Sequence, residues 1–181
     1  MPNWIWSIPF VLVGISSLMI EGRVNAQDNL PERVVPFEPE GYLFLVGGGR
    51  ITPEIRREFL RLGQANSPDS LLVIIPTASE LADDPQHDWR GDWTDAGVSR
   101  IEVLHTRDRA VADSESFVEV LQQATAVWLG GGDQKKLAEA YAGTAVERIL
   151  RDKIQTGGVV GGTSAGAAVA SRVMIAGGRE E

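Results

Sequence analysis

The sequence alternates short, continuously apolar runs with longer segments in which apolar residues recur every three or four positions. The apolar runs lie at 42–46, 71–75, 101–104, 126–129 and 159–160. Each run is too short for a helix and, apart from Glu102, is continuously apolar, as in a strand that is covered on both faces. This alternation predicts βαβ units, and therefore one α/β domain that is built on a mostly parallel sheet.

The segments between the apolar runs carry signals for helix starts and ends. Thr52, which precedes a proline, predicts a helix start, and Gly63 predicts the end of that helix. Thr144 and Glu147 have the spacing of a capping box and predict a second helix start. Gly157 predicts where this second helix ends.

Composition and charge restrict the partners and the chemistry of the chain. Among 181 residues, 17 are basic and 25 are acidic, which gives a net charge of −8, and no Lys- or Arg-rich run is present. Nucleic acid is therefore a poor fit as a partner. Because the sequence contains no cysteine, disulfides, thiolate metal sites and a cysteine nucleophile are excluded. Covalent catalysis would need an oxygen or nitrogen nucleophile.

The first 26 residues have the pattern of an export signal. An apolar run at 4–20 is followed by the small-residue sequence Val24-Asn25-Ala26, which predicts cleavage after Ala26 and a secreted or periplasmic protein. Because the run is short for a membrane span, cleavage without stable membrane insertion is favoured. No Lys or Arg precedes the run, however, so an uncleaved membrane anchor is the alternative. Residues 27–40 contain three prolines and are predicted to be a linker, with the domain at 41–181.

Glycine clusters follow three of the predicted strands, at Gly47-Gly48-Gly49, Gly130-Gly131-Gly132 and Gly161-Gly162. Ligands of open parallel sheets bind outside the carboxyl ends of the strands, so these clusters are predicted to share one rim. The second cluster runs through Asp133 and Gln134 into a predicted helix, where converging N–H groups suit an anion or an oxyanion. A tight turn with positive φ would explain the glycines equally well, and Asp133 or Gln134 could simply cap the helix. The fingerprints of dinucleotide-binding and phosphate-binding loops are not matched.

Ser164 lies in Gly162-Thr163-Ser164-Ala165-Gly166, which follows a predicted strand and precedes a small-residue helix. A Gly-x-Ser-x-Gly pattern in this context is typical of a nucleophile elbow, whose sharp turn presents the serine hydroxyl at the end of the strand. The N–H group of Ala165 would then face the carbonyl oxygen of a substrate. The pattern predicts acyl transfer with Ser164 as the nucleophile. The alternative is that Ser164 only caps the helix.

Two histidines, His87 and His105, are the candidates for a general base. Both follow predicted strands and could therefore lie near the rim. The acidic neighbours of His87 mimic a metal site, but they fit a solvated helix start better, and His105 fits a loop better than a general base. Neither histidine is assigned as the base, and the sequence predicts no metal site and no cofactor.

Several of these motifs together resemble the cyanophycinases, serine peptidases of family S51, in their order and spacing. The motifs are Gly131-Gly132-Asp133-Gln134, Gly162-Thr163-Ser164-Ala165-Gly166-Ala167-Ala168-Val169 and Met174-Ile175-Ala176-Gly177-Gly178. Further support comes from Leu45-Val46-Gly47-Gly48, Ile75-Pro76-Thr77-Ala78-Ser79 and Val103-Leu104 with Arg107-Asp108-Arg109-Ala110. The resemblance runs from about Tyr42 to the last residue.

The resemblance implies a three-layer, doubly wound fold like that of class I glutamine amidotransferases, with serine in place of cysteine at the elbow. It also implies hydrolysis of the β-linked aspartyl-arginine units of the peptide substrate cyanophycin, without a metal or a cofactor. Ser164 would be the nucleophile, and the N–H groups of Gly132 and Ala165 would form the oxyanion hole. Gln134 would help to hold the aspartyl portion of the substrate.

The sequence departs from the cyanophycinase pattern at its end. In that family the catalytic histidine, its acidic partner and the arginine-recognising pocket come mainly from sequence after the elbow helix, whereas the printed sequence stops at Glu181. We therefore expect a fragment that lacks its base and acid. An aspartyl dipeptidase of the same family and a non-catalytic binding domain on the same fold are the alternatives, and a homodimer is left open.

Overall fold

A five-stranded parallel sheet forms the centre of the fold. The computed structural model describes residues 39–171 and 173–174, so the predicted signal peptide, the linker up to residue 38 and the sequence beyond 174 lie outside the described residues. The strands are β1 (Tyr42–Val46), β2 (Leu72–Ile75), β3 (Ile101–Val103), β4 (Ala126–Leu129) and β5 (Val159–Thr163). Their order in the sheet is β1-β5-β4-β2-β3, and every neighbouring pair is parallel, as the alternation in the sequence predicts.

Helices connect the strands in the described part of the chain. They are α1 (Pro53–Leu62), α2 (Gly91–Asp95), α3 (Arg109–Ala112), α4 (Glu115–Gln123), α5 (Gln134–Tyr141), α6 (Ala145–Gln155) and α7 (Ala165–Ala168), with a 3₁₀ helix at Glu80–Asp83. Helix α1 begins and ends as predicted, because the Thr52 hydroxyl accepts a hydrogen bond from the Ile55 N–H at 3.4 Å and Gly63 follows the last turn. None of the helices within residues 39–171 is long and apolar enough to cross a membrane.

Helix α6 occupies its predicted place, but the predicted capping box is wrong. The Thr144 hydroxyl donates to the Tyr141 carbonyl at 2.7 Å, and the Glu147 carboxylate accepts from the Gly143 N–H at 2.6 Å. Helix α5 ends at Tyr141, so its last carbonyl groups lack partners within the helix. The Thr144 hydroxyl donates to one of these carbonyl groups. It therefore does not accept a hydrogen bond from an N–H group of α6.

Side chains at alternate strand positions pack against helices on opposite faces of the sheet. One face buries Val73, Ile75, Val127, Leu129 and Val160 against side chains of α3 to α7. The other face buries Leu72, Ile74, Ala126, Trp128 and Val159 against Phe59 and Leu60 of α1 and Trp93 of α2. The helices therefore form a layer on each side of the sheet, and the predicted three-layer α/β fold is confirmed.

An aromatic cluster holds α1 and α2 against the middle of the sheet. The Phe59 ring lies 4.9 Å from the Trp128 ring and 5.6 Å from the Trp93 ring, both in edge-to-face geometry. Such pairs contribute about 0.5–1.5 kcal/mol each beyond their buried area. A Cβ at Gly161 of β5 would lie 2.6 Å from the Phe59 ring, so the absent side chain makes room for this packing.

Candidate active site

The loops at the carboxyl ends of β1, β4 and β5 meet around Ser164. A Cβ at Gly48, after β1, would lie 3.5 Å from the Ser164 Cβ, and a Cβ at Gly131, after β4, would lie at the same distance. Ser164 follows β5 directly, and its N–H donates to the Val46 carbonyl of β1 at 3.0 Å. The glycine clusters after β1 and β4 therefore share one rim of the sheet, as the sequence predicts, whereas Gly161 and Gly162 lie within β5 and not after it.

Ser164 has a backbone conformation that is uncommon for a residue with a side chain, with φ 50° and ψ −110°. The glycines on either side of it explain how the chain makes this turn. A Cβ at Gly162 would lie 2.4 Å from the Gly166 carbonyl oxygen, and a Cβ at Gly166 would lie 2.3 Å from the Leu129 carbonyl oxygen. Only glycine fits at both positions, so the sharp strand-to-helix turn of a nucleophile elbow is present.

The Ser164 side chain is exposed at the rim and forms no hydrogen bond with another described residue. The backbone carbonyl of Ser164 accepts from the N–H groups of Ala167 and Ala168 at 3.0 and 2.8 Å. The hydroxyl, in contrast, does not cap helix α7. The alternative interpretation of Ser164 as a helix cap therefore does not account for the side chain.

The glycine loop after β4 brings backbone N–H groups to the same rim. Gly132 has a φ of +136°, and a Cβ there would lie 2.1 Å from the Ala78 carbonyl oxygen, so the position requires glycine. The N–H of Gly132 has no acceptor among the described residues. The N–H of Ala165 opens α7 and has no acceptor within that helix. Both groups can therefore donate to an oxyanion that forms at the rim.

Asp133 and Gln134 lie where the glycine loop enters α5. The Asp133 carboxylate accepts from the Lys135 N–H at 2.8 Å and caps the helix, and the Asp133 N–H donates to the Ala78 carbonyl at 2.9 Å. The capping alternative thus describes Asp133. Gln134 is the first residue of α5 and is half-buried.

His105 is hydrogen-bonded to Thr77 and Asp83, and not to Ser164. Its Nδ1 lies 2.9 Å from the Thr77 hydroxyl, and its Nε2 lies 2.9 Å from the Asp83 carboxylate. Because a carboxylate only accepts, the neutral ring carries its hydrogen on Nε2 and accepts from Thr77 at Nδ1. The Thr77 oxygen then accepts from the Tyr141 hydroxyl at 2.7 Å. Both ring nitrogens of His105 are therefore engaged away from Ser164.

This network anchors the turn against which the glycine loop packs. Thr77 is fully buried in a turn that the Ser79 N–H closes by donating to the Pro76 carbonyl at 2.7 Å. The next residue, Ala78, supplies the carbonyl that faces Gly132 and Asp133. Sequence reasoning missed this role of Thr77, although its position two residues after a buried strand is a usable signal.

Two groups of the network have shifted pKa values. Burial raises the pKa of the Tyr141 phenol above its ordinary value. The Arg107 guanidinium, with a smaller contribution from His105, holds the pKa of the Asp83 carboxyl below its usual range. Asp83 therefore stays ionised beside the imidazole, which maintains the hydrogen on Nε2.

His87 lies in the segment that leads into α2. It is exposed, and its ring stacks on Trp89 with the centroids 4.2 Å apart. The neighbouring Asp88 carboxylate accepts from the N–H groups of Arg90 and Gly91 at 2.8 and 2.9 Å, and these bonds lower its pKa. This arrangement is the solvated helix start that the sequence favours. No group of three His, Asp or Glu residues in the described ranges is placed to hold a metal ion.

A pocket of about 230 Å³ opens beside Ser164, and we call it the rim pocket. Its walls come from α1, from the segment 87–93 and from the ends of β2, β4 and β5. Gly131 and Thr163 form the wall next to Ser164, and Trp93 and Trp128 belong to its apolar side. The rim pocket therefore connects the candidate nucleophile to the layer of α1 and α2.

Comparisons with known proteins bear on this site. Residues 43–180 match the sequence model of peptidase family S51. The chain is 35% identical over 115 residues to a cyanophycinase from Geminocystis herdmanii (strain PCC 6308), which covers 63% of this chain and 42% of that protein. It is 32% identical over 141 residues to a cyanophycinase from Synechococcus elongatus, with coverages of 77% and 44%.

A crystal structure of a peptidase from an acI-B1 Actinobacterium has a similar fold. It matches with a TM-score of 0.60 and 28% identity over 71% of this chain and 55% of that one. The chain spans less than half the length of the curated relatives named above, at 42% and 44%.

Proposed function

This chain belongs to peptidase family S51, and on that premise we propose that it supplies the nucleophile and the oxyanion donors of a serine peptidase. The proposed substrate is cyanophycin, which is cleaved between its β-aspartyl-arginine units. The observation that carries the proposal is the elbow at Ser164, where an exposed hydroxyl is held at φ 50° between two glycines that no larger residue could replace. The identity to cyanophycinases over 115 and 141 residues supports the choice of substrate.

In the proposed reaction, the Ser164 hydroxyl attacks the carbonyl carbon of the amide that joins one β-aspartyl-arginine unit to the next. The N–H groups of Gly132 and Ala165 stabilise the charge on the carbonyl oxygen, and removal of one such donor lowers the rate by about 10²- to 10³-fold in other enzymes. The C–N bond then breaks, the amine of the neighbouring unit leaves with a proton, and water hydrolyses the acyl-enzyme. Gln134, at the start of α5, is proposed to contact the aspartyl portion of the substrate.

The base that takes the proton of Ser164 is not assigned to a described residue. Both ring nitrogens of His105 are engaged with Thr77 and Asp83, and His87 makes no hydrogen bond to Ser164 in the described part of the chain. Export of the protein is a separate part of the proposal, and it is supported by the apolar run at 4–20 and the cleavage pattern at Ala26.

Reaction of the full chain with a fluorophosphonate probe tests the nucleophile. We expect a covalent adduct on Ser164, identified by peptide mapping, that disappears in Ser164→Ala. The matched control is Ser171→Ala, which removes a nearby hydroxyl that donates to the Ala168 carbonyl at 2.7 Å and should leave labelling unchanged. Labelling that persists in Ser164→Ala would exclude Ser164 as the nucleophile.

Product analysis by mass spectrometry tests the substrate. Release of β-aspartyl-arginine from cyanophycin supports the proposal. Cleavage of α-aspartyl dipeptides in its place would identify an aspartyl dipeptidase and overturn the proposed substrate. Binding of β-aspartyl-arginine without labelling or cleavage would identify a non-catalytic binding domain.

A further inference from the structure

The buried side-chain polar atoms that lack a hydrogen-bond partner in the described part of the chain all belong to residues of the rim pocket. They are Arg56 Nε, Trp89 Nε1 and Thr163 Oγ1. Buried polar groups are nearly always paired, and an unpaired one destabilises a protein. The three residues come from separate segments and line one pocket, so a ligand bound there is placed to pair with these atoms.

The rim pocket is placed to receive part of a molecule that is bound at Ser164. Thr163 directly precedes Ser164, and Gly131 forms another part of the same wall. A Cβ at Gly131 would lie 3.5 Å from the Ser164 Cβ and 3.6 Å from the Thr163 Cγ2, so these residues are in contact. A group attached close to the scissile amide can therefore reach the pocket.

The unpaired atoms specify the chemistry of the ligand. The N–H groups of Arg56 and Trp89 can only donate, and the Thr163 hydroxyl can also donate, so the ligand must bring acceptors. A carboxylate offers two acceptor oxygens in one plane, and hydrogen bonds to a charged group are about twice as strong as neutral ones.

Arg56 lines the rim pocket together with two carboxylates, of which Asp88 accepts from the N–H groups of Arg90 and Gly91 and Asp92 pairs with Arg56. The Arg56 side chain is 14% exposed, whereas the Asp92 carboxylate with which it pairs is 69% exposed. The positive member of this ion pair is therefore the buried one, and solvent screens its partner. The guanidinium lies 5.8 Å from the centroid of the Trp93 ring, a contact that restrains its orientation.

We propose that the rim pocket binds a carboxylate of the substrate next to the scissile amide, through Arg56 Nε, Trp89 Nε1 and the Thr163 hydroxyl. The proposal rests on the proposed function, because it assumes that a peptide is bound at Ser164. In cyanophycin, the α-carboxyl of each aspartyl residue forms the amide to the next unit, whereas the arginine is linked through its amine, so the free carboxylate near the scissile amide is that of the arginine. The donors are covered by neighbouring atoms, so binding turns the Arg56 or Trp89 side chain toward the pocket.

Titration of full-length Ser164→Ala with β-aspartyl-arginine tests the subsite without hydrolysis. Calorimetry gives the Kd, and a fluorescence change that is absent in Trp89→Phe reports the environment of Trp89. Two further ligands carry a carboxamide in place of one carboxylate, either on the arginyl or on the aspartyl residue. We expect the arginyl amide, and not the aspartyl amide, to bind about tenfold more weakly, as when a hydrogen-bonded charge is removed.

Single substitutions in the same background identify the donors. Trp89→Phe keeps a ring and removes the indole N–H, and Arg56→Lys keeps the charge and removes the Nε–H. Each substitution should weaken the binding of β-aspartyl-arginine about tenfold. Each should change the binding of the arginyl amide less than twofold, because that ligand already lacks the recognised carboxylate. The matched control is Arg57→Lys, because Arg57 is 65% exposed and pairs with Glu54 outside the rim pocket.

Equal binding of the acid and of both amides would overturn the proposal, and so would an unchanged preference in both variants. If circular dichroism shows that Trp89→Phe or Arg56→Lys fails to fold, the binding of the acid and its two amides to Ser164→Ala tests the proposal by itself. The fluorophosphonate assay separates the two proposals. If Ser164 is labelled but the ligands bind equally, the carboxylate subsite is wrong and the nucleophile stands. If binding depends on the carboxylate but Ser164 is not labelled, the subsite stands and the proposed nucleophile is wrong.

Discussion

Replacement of Ser164 by glycine is expected to make the protein more stable while it abolishes reaction at the rim. The backbone at Ser164 has φ 50° and ψ −110°, a region that residues with a Cβ rarely adopt. Such strain is worth about 1–3 kcal/mol at a single residue. Glycine adopts the same conformation without this strain.

The net gain is smaller than the strain, because glycine loses more backbone freedom on folding, by about 0.5–1 kcal/mol. We therefore expect Ser164→Gly to raise the free energy of unfolding by about 1 kcal/mol relative to Ser164→Ala. The alanine variant is the matched control, because it also lacks the hydroxyl and keeps the Cβ. The hydroxyl is exposed and unbonded among the described residues, so its loss alone should change stability by less than about 0.5 kcal/mol.

Urea unfolding followed by circular dichroism measures this difference. With a slope of about 2 kcal/mol per molar urea, a gain of about 1 kcal/mol moves the midpoint upward by about 0.5 M. A glycine variant that is equal to or less stable than the alanine variant, at the same slope, would refute the reasoning that strain is stored at the elbow.

Two further predictions concern the support of the rim. Gly132→Ala should destabilise the protein by at least about 2 kcal/mol more than Gly97→Ala in urea unfolding. Both glycines have a positive φ, but only a Cβ at Gly132 would meet another atom, the Ala78 carbonyl oxygen at 2.1 Å. Tyr141→Phe should reduce the loss of stability above pH 10, measured by urea unfolding from pH 7 to 11, with Tyr42→Phe at a half-exposed position as control.

The sign of the second prediction follows from linkage. Burial raises the pKa of Tyr141 in the folded state, so the unfolded chain loses this proton first, near pH 10. The stabilising contribution is complete below that pH and is lost as the pH rises toward the folded pKa, by up to about 1.4 kcal/mol per pH unit. If the free energy of unfolding falls with pH above 10 equally in Tyr141→Phe and in the wild type, the prediction for Tyr141 is wrong. If Gly132→Ala and Gly97→Ala destabilise the protein equally, the prediction for Gly132 is wrong.

Local patterns determined which elements form and where the glycines lie. The apolar runs became the strands. Of these, β2 and β4 are buried at every position, as expected inside a parallel sheet, whereas the edge strand β1 leaves Tyr42 and Leu45 about half exposed. The turn at Ser164 was readable for a similar reason, because the glycines at 162 and 166 are needed within the turn itself. The capping box at Thr144 failed because a partner outside the helix, the Tyr141 carbonyl, competed for the hydroxyl.

Only the tertiary structure decided which distant residues meet. Thr77 bonds to residues that are 28 and 64 positions away, His105 and Tyr141, and no local period encodes such separations. The rim pocket likewise joins Arg56, Trp89 and Thr163 because α1, α2 and β5 pack around one end of the sheet. The sequence alone determined the elbow at Ser164, because backbone sterics act between neighbours. The surroundings of that serine depended on the strand order, which is set by the packing of the whole core.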